Sequence, residues 1–327
     1  MFLLIDSDFF SDSDKIENSA KEELVSSSNY LQDISVIPPL PQTVKLDNEK
    51  VKLGSLLFHE PKLSRNNSIS CASCHNLSLA GTDRKSSSVG VNNLSANSNS
   101  PTVFNSVFNF SQFWDGRANT LTEQVSFPIH DPMEMDTTWA DIIAKLTLDP
   151  VYLKLFKGAY DDGINSKNII NAIVTFEKSL VTPNSAFDQY LRGDKHALNT
   201  QQLKGLQSFK EFGCISCHQG INIGGNMFQK FGVAKDYFES KQVQENDLGR
   251  FNITKREEDR HVFKVPSLRN VAVTQPYFHD GSIRTLADAV KIMGEYQLGQ
   301  KLSDQDVEDL TVFLESLTGQ WQGEILQ

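Results

Sequence analysis

Cys71-Ala72-Ser73-Cys74-His75 and Cys214-Ile215-Ser216-Cys217-His218 are two copies of one pattern, Cys-x-x-Cys-His, and they use all four cysteines of a 327-residue chain. Thiols three residues apart can bond to the two vinyl groups of one porphyrin, and the histidine that follows then sits against the ring as an axial iron ligand. Two copies imply two covalently bound c-type haems and a chain that handles electrons. Two other chemistries use paired cysteines. Zinc ribbons keep their pairs about 15–20 residues apart, whereas these lie in opposite halves of the chain. A redox dithiol makes no demand for the histidine.

The elements that must position these motifs are mostly helical. Residues 1–35, rich in Asp, Ser, Glu and Asn, read as a mobile leader. Pro38, Pro39 and Pro41 then open the first folded unit. A short helix over 49–58, with Val51, Leu53, Leu56 and Leu57 apolar, precedes the first motif. Residues 86–100 form a long polar loop of the kind that is often functional. Helical patterns resume over 138–146 and 166–180, with Asp136 and Asn165 as caps. Thr182-Pro183-Asn184-Ser185 breaks the pattern, which sets a boundary between an N-terminal haem domain, 36–182, and a C-terminal one, 183–327. In the second, helices are expected over 200–212, 286–297 (carrying Met293) and from a Ser303 cap to a Gly319 stop. Strand signals are few. The fold class is mainly α, two cytochrome-c-like domains with one haem each and long loops.

Composition narrows the setting. The chain is 39% hydrophobic, enough for packed cores, yet has no run of about 18 apolar residues to span a membrane. A net charge of −10 argues against nucleic acid as a partner and suits docking of a basic or dipolar redox protein, or plain solubility. Covalent haem attachment predicts a periplasmic location. The N-terminus does not add to this, because Met1–Ile5 is too short for a signal h-region and is followed by Asp6 and Asp8.

The sixth iron ligand decides function: a Met or His favours electron transfer, and an open face permits peroxide chemistry. Seven runs bear on it, in chain order, the first of them built around the first haem motif. They are Ser70–His75, Pro101-Thr-Val-Phe-Asn105, Phe113-Trp-Asp-Gly-Arg117, Asp131-Pro-Met-Glu-Met135, His261-Val-Phe-Lys-Val-Pro-Ser-Leu-Arg-Asn270, Pro276-Tyr-Phe-His-Asp-Gly281 and Met293-Gly-Glu-Tyr-Gln-Leu-Gly299. Over residues 40–319 this series resembles the bacterial dihaem cytochrome c peroxidases. The resemblance implies reduction of hydrogen peroxide at the N-terminal haem, with electrons taken up at the C-terminal haem from a small c-type cytochrome or a cupredoxin, in a homodimer. It makes Met293 the partner of His218, Glu134 the catalytic acid–base, Gln124 a second residue at the peroxide site, and Trp114 a bridge between the haems. It also implies a calcium ion held by Asn99, Thr274 and Pro276.

This chain departs from that pattern at one position. Many members carry a histidine in the loop after Gly90 that caps the peroxidatic iron in the resting enzyme, and here Val91 stands there. An aliphatic side chain cannot bind iron, so the N-terminal haem is expected to be open in the diferric state. His130 is the nearest possible substitute. His59 and His196 read as surface residues, and His261 and His279 as residues near the haem propionates or as hydrogen-bond partners, not as iron ligands. Two rival functions follow. A dihaem oxidase that modifies residues of a partner protein shares the missing loop histidine, but its best-known type has Tyr at the Met293 position. A plain dihaem electron carrier needs a stable sixth ligand at both irons.

Overall fold

The helix before each haem motif crosses the last long helix of its own half at a glycine. In the first half α1, Asn48–Phe58, starts on the Asp47 carboxylate, which accepts from the backbone N–H groups of Glu49 and Lys50 at 3.0 and 3.2 Å. Leu53, Leu57 and Phe58 form its buried face. A Cβ on Gly54 would lie 1.9 Å from the Ala172 carbonyl oxygen, so only glycine permits this approach. Between these elements lie α2, Trp139–Thr147, and α3, Pro150–Ala159, and after them comes α4, Ser166–Ser179, to which Ala172 belongs. Their shared core includes Leu53, Leu57, Ile142, Leu146, Phe156 and Ile169. Asn165 caps α4 as expected. The cap of α2 is Thr138, not Asp136. Asp136 instead has φ 47° and pairs with Arg65 at 2.6 Å. The sequence reading did not include α3, although Asp149 followed by Pro150 at the first helical position is a start signal.

The second half repeats the plan. After α5, Ala186–Leu191, the helices α6, Thr200–Glu211, and α8, Asp304–Glu315, both begin with capping boxes, Asn199 with Gln202 and Ser303 with Asp306. They cross at Gly205, where a Cβ would sit 2.0 Å from the Asp309 carbonyl oxygen. The expected helix over 286–297 is two elements, α7, Leu286–Ile292, and a π-helical turn, Met293–Gln297. Gly319 does not end α8, which stops at Glu315. Its N–H donates to the Asn270 side chain, and its missing Cβ lets the chain pass the Thr182 carbonyl. Strands are short: β1, Phe228–Lys230, pairs antiparallel with β2, Val262–Lys264, and β3, Gln320–Trp321, with β4, Glu324–Ile325.

This computed structural model describes residues 36–327; the leader at 1–35 lies outside the described residues. From Pro39 onward the chain forms one compact unit. A buried polar network joins its halves. Asn105 and Asn270 both donate to the Thr182 hydroxyl, at 2.8 and 3.0 Å, and Asn222 donates to the Asn105 carbonyl. Asp188 accepts from the Leu40 N–H and from the buried Arg269 guanidinium, both at 2.9 Å. The mainly helical, loop-rich, two-part fold agrees with the sequence reading. Among the described residues no helix is long and apolar enough to cross a membrane.

Candidate functional site: two cysteine-lined cavities

Each Cys-x-x-Cys-His motif winds one tight turn that brings both thiols and the histidine to the same cavity. In the first, the His75 N–H closes back on the Cys71 carbonyl at 2.9 Å. In the second, the His218 N–H closes on Cys214 at 3.0 Å. The Nδ1 atoms of His75 and His218 each lie 3.4 Å from a backbone carbonyl a few residues on, Gly81 and Ile223. Such a bond puts the proton on Nδ1 and leaves Nε2 free for a metal. Burial lowers both imidazoles, His218 to about 4, so each stays neutral. Burial likewise pushes the thiols up, Cys71 to about 12 and Cys74 and Cys214 to about 11.

The residues fit a haem at each motif. Leu121, Val125, Ile129 and Ile173 wall the first cavity, and Phe209, Leu286, Leu310 and Leu314 the second, surfaces suited to a flat apolar macrocycle. The two thiol pairs line separate cavities, so they are not four ligands of one zinc.

The first cavity also takes Glu134 and Gln124. Glu134 is positioned by backbone bonds on both sides. Its N–H donates to Asp131, and its carbonyl accepts from the Val91 N–H at 2.8 Å. The polar loop therefore lies against the Glu134 segment, and Gly90 fits there because a Cβ would meet the Met133 carbonyl at 2.0 Å. Burial pushes the Glu134 carboxyl up to about 7, helped by the Asp131 carboxylate and opposed by the Arg117 guanidinium. Arg117 is itself held by Asp115 at 3.0 Å and by the Phe113 ring, 3.5 Å from its centroid. Val91 is buried and does not line the cavity. His130 does not line it either: it is exposed, with Nδ1 3.0 Å from the Thr137 carbonyl. His75 is the one histidine in this lining among the described residues.

Met293, the first residue of the π-helical turn, lines the second cavity together with His218. Trp114 lines both cavities, and its Nε1 donates to the Asn99 carbonyl at 2.9 Å. Asn99, Thr274 and Pro276 all line the second cavity. The Asn99 amide donates to the Lys85 carbonyl, which leaves its Oδ1 without a hydrogen bond among the described residues. His279 lines this cavity and His261 does not; both bond to Asp247, at 2.7 Å. His59 and His196 are exposed.

Sequence reasoning singled out neither Glu177 nor Lys264. Glu177 is buried at the first cavity, its Oε2 has no hydrogen-bond partner among the described residues, and burial pushes the carboxyl up to about 8. Lys264 is buried at the second. The only available signal was a charge inside an otherwise apolar run, Val-Phe-Lys-Val for Lys264 and Val-Thr-Phe-Glu for Glu177.

Residues 48–196 match the family model described as di-haem cytochrome c peroxidase, and residues 202–318 the cytochrome c model. Cytochrome c peroxidase Ccp of Escherichia coli (strain K12) is 49% identical over 284 residues, 86% of this chain and 61% of that protein, so the chain spans less than two thirds of this relative. Cytochrome c551 peroxidase of Nitrosomonas europaea is 44% identical over 86% of this chain and 84% of that one. Among solved structures, a MauG-like protein associated with microbial copper homeostasis has a TM-score of 0.77 at 27% identity, covering 86% of this chain and 92% of that one. With two haem-attachment motifs, two matching cavities and these relatives, the chain belongs to the dihaem cytochrome c peroxidase family.

Proposed function

We propose that this chain reduces hydrogen peroxide to two waters at the first cavity, with two electrons that reach it through the second half and two protons from solvent. Cys71, Cys74 and His75 would hold a haem here, which would supply the iron for peroxide binding and electron uptake. The observation that carries the reading is Glu134, a half-buried carboxyl lifted to about 7 in the same cavity as that histidine. At that value Glu134 can accept a proton from one peroxide oxygen and return it to the other, so that water leaves. Gln124 offers an amide N–H to the same oxygens. Arg117 keeps Glu134 from becoming a permanently protonated acid, since its charge opposes the rise.

In the second cavity His218 and Met293 would hold the electron-accepting haem, a ligand pair that raises the potential. Trp114 lines both cavities, which supports its reading as the bridge for electrons between them. Asn99, Thr274 and Pro276 form a calcium site of one side chain and backbone carbonyls. We set the boundary between the halves at 182/183, because α5 beyond it packs Phe187 on Phe313 and pairs Asp188 with Arg269. The donor is a small cytochrome c or a cupredoxin, the assembly a homodimer and the compartment the periplasm.

With Val91 and the exposed His130 both outside the lining, His75 is the one histidine of the first cavity among the described residues, so the diferric protein reacts without prior reduction. That property also fits an oxidase acting on a partner protein; Met293 in the second cavity favours the peroxidase. The test is stopped-flow mixing of diferric protein with peroxide and a reduced small cytochrome c, beside electron paramagnetic resonance. Expected are a high-spin signal at rest, rapid turnover, and a loss of about 10²- to 10⁴-fold in Glu134→Gln. Low-spin signals alone in the diferric sample, or a fully active variant, would overturn the reading.

A further inference from the structure

We propose that Lys264 is the buried counter-ion of a propionate carboxylate on the second-half haem, and thereby a positioning residue that raises the reduction potential of that haem. The inference rests on the haem reading of this cavity and not on peroxide reduction.

Lys264 ends β2, opposite Phe228 of β1, and its backbone N–H donates to the Trp114 carbonyl at 2.8 Å. The strand pairing and that bond fix its main chain, and its side chain lines the second cavity at only 6% exposure. Among the described residues no carboxylate lies within ion-pair distance of its ammonium. Burial alone pulls the amine down to about 8. A cation withdrawn from water without a partner is costly, and such groups are retained where something pairs with them.

The cavity lining provides no such partner from the protein. It includes Lys230 and Lys264 and, among the described residues, neither Asp nor Glu. The first cavity has the opposite character, with Asp115, Asp131, Glu134, Glu177 and Glu245 against Arg117 alone. A haem brings two carboxylates of its own. In the second cavity they would meet an uncompensated ammonium, and in the first mainly other carboxylates. The same positive charge near the ring favours the state with one more electron, so Lys264 biases the second haem toward reduction.

The test compares Lys264→Met, which keeps the length and removes the charge, with Lys264→Arg, which keeps the charge. In spectroelectrochemical titration of the holoprotein, Lys264→Met is expected to lower the equilibrium constant for one-electron reduction of the second haem about tenfold, equal to about 59 mV. Lys264→Arg should restore most of it, and the first haem should move much less. An unchanged potential in Lys264→Met with both haems attached overturns the assignment, as does an equal shift at both haems. Should either variant lose haem, wild-type holoprotein carrying propionate-labelled haem decides by infrared spectroscopy. A propionate band that shifts in heavy water and titrates with a lysine supports the pair, and a band like that of free carboxylate overturns it. No peroxide enters these measurements, so an inactive protein with the expected potentials would defeat the peroxidase reading and leave this one standing.

Discussion

Glu134 and Glu177 are two carboxyls of the first cavity pushed toward neutrality by burial, yet the surroundings give them different work. Glu134 has Asp131 and Arg117 nearby, pulling in opposite directions, and ends near neutral pH, where proton exchange is useful. Glu177 has burial alone acting on it and ends near 8. In the unfolded chain a glutamate releases its proton near its ordinary value of 4.5, so between 4.5 and 8 the native state holds a proton that the unfolded state has lost. Stability from this group is complete below the unfolded value and disappears as pH rises through the native one. Glu177→Gln cannot ionise and removes that slope. Its stability relative to wild type should therefore improve by on the order of 2–4 kcal/mol between pH 5 and pH 8. Guanidinium unfolding of the two holoproteins at both values checks this; the same difference at each pH would mean that Glu177 is ionised in the native state. Such residues are hard to read from sequence for a physical reason. Cys71, Cys74 and His75 are contiguous because covalent attachment to one ring demands it. Glu177 and Lys264 owe their character to burial, which depends on chain segments far from them. Glu134 was legible only through the motif around it.

Helix crossings carry the next scale. Gly205 of α6 and Gly158 of α3 are both helical, but they face different surroundings. A Cβ at 205 would meet the Asp309 backbone at 2.0 Å, and a Cβ at 158 would meet nothing within 4 Å. Gly205→Ala must push α6 from α8, which should cost about 1–3 kcal/mol and loosen the turn that presents Cys214 and His218. Gly158→Ala should gain up to about 1 kcal/mol, because alanine loses less backbone entropy in a helix. Thermal unfolding with the spectrum of the second haem as the probe would separate them; a neutral Gly205→Ala would mean the crossing yields easily. Caps and apolar spacing made most helices legible, and the Ser303 and Asn165 starts lie where local chemistry puts them. The errors came where tertiary contacts outvote local signals. Asp136 is drawn off to Arg65, Gly319 serves an interhalf contact with Thr182, and the helix carrying Met293 changes its hydrogen bonding where it meets the cavity.

At the scale of the whole molecule, the halves are fastened by buried amides and hydroxyls around Thr182 and by the Asp188 carboxylate, which accepts from the Leu40 N–H, and none of these has a sequence signature. Net charge is the one global property the sequence states directly: 41 acidic against 31 basic residues, −10 in all. A field of that sign draws in a basic donor over distances set by the screening length, which shrinks from about 30 Å at 0.01 M salt to about 10 Å at 0.1 M. Hydrogen peroxide is uncharged and feels no such attraction. The two half-reactions should therefore respond differently to salt. The second-order rate with a basic small cytochrome c should fall about tenfold or more across that range, while the rate of peroxide with the diferric protein stays level. Parallel stopped-flow series at one pH would show it. A donor rate that rises with salt would point to an acidic donor docking on a local basic patch instead, and a peroxide rate that falls with the donor rate would mean salt is changing the protein and not the encounter.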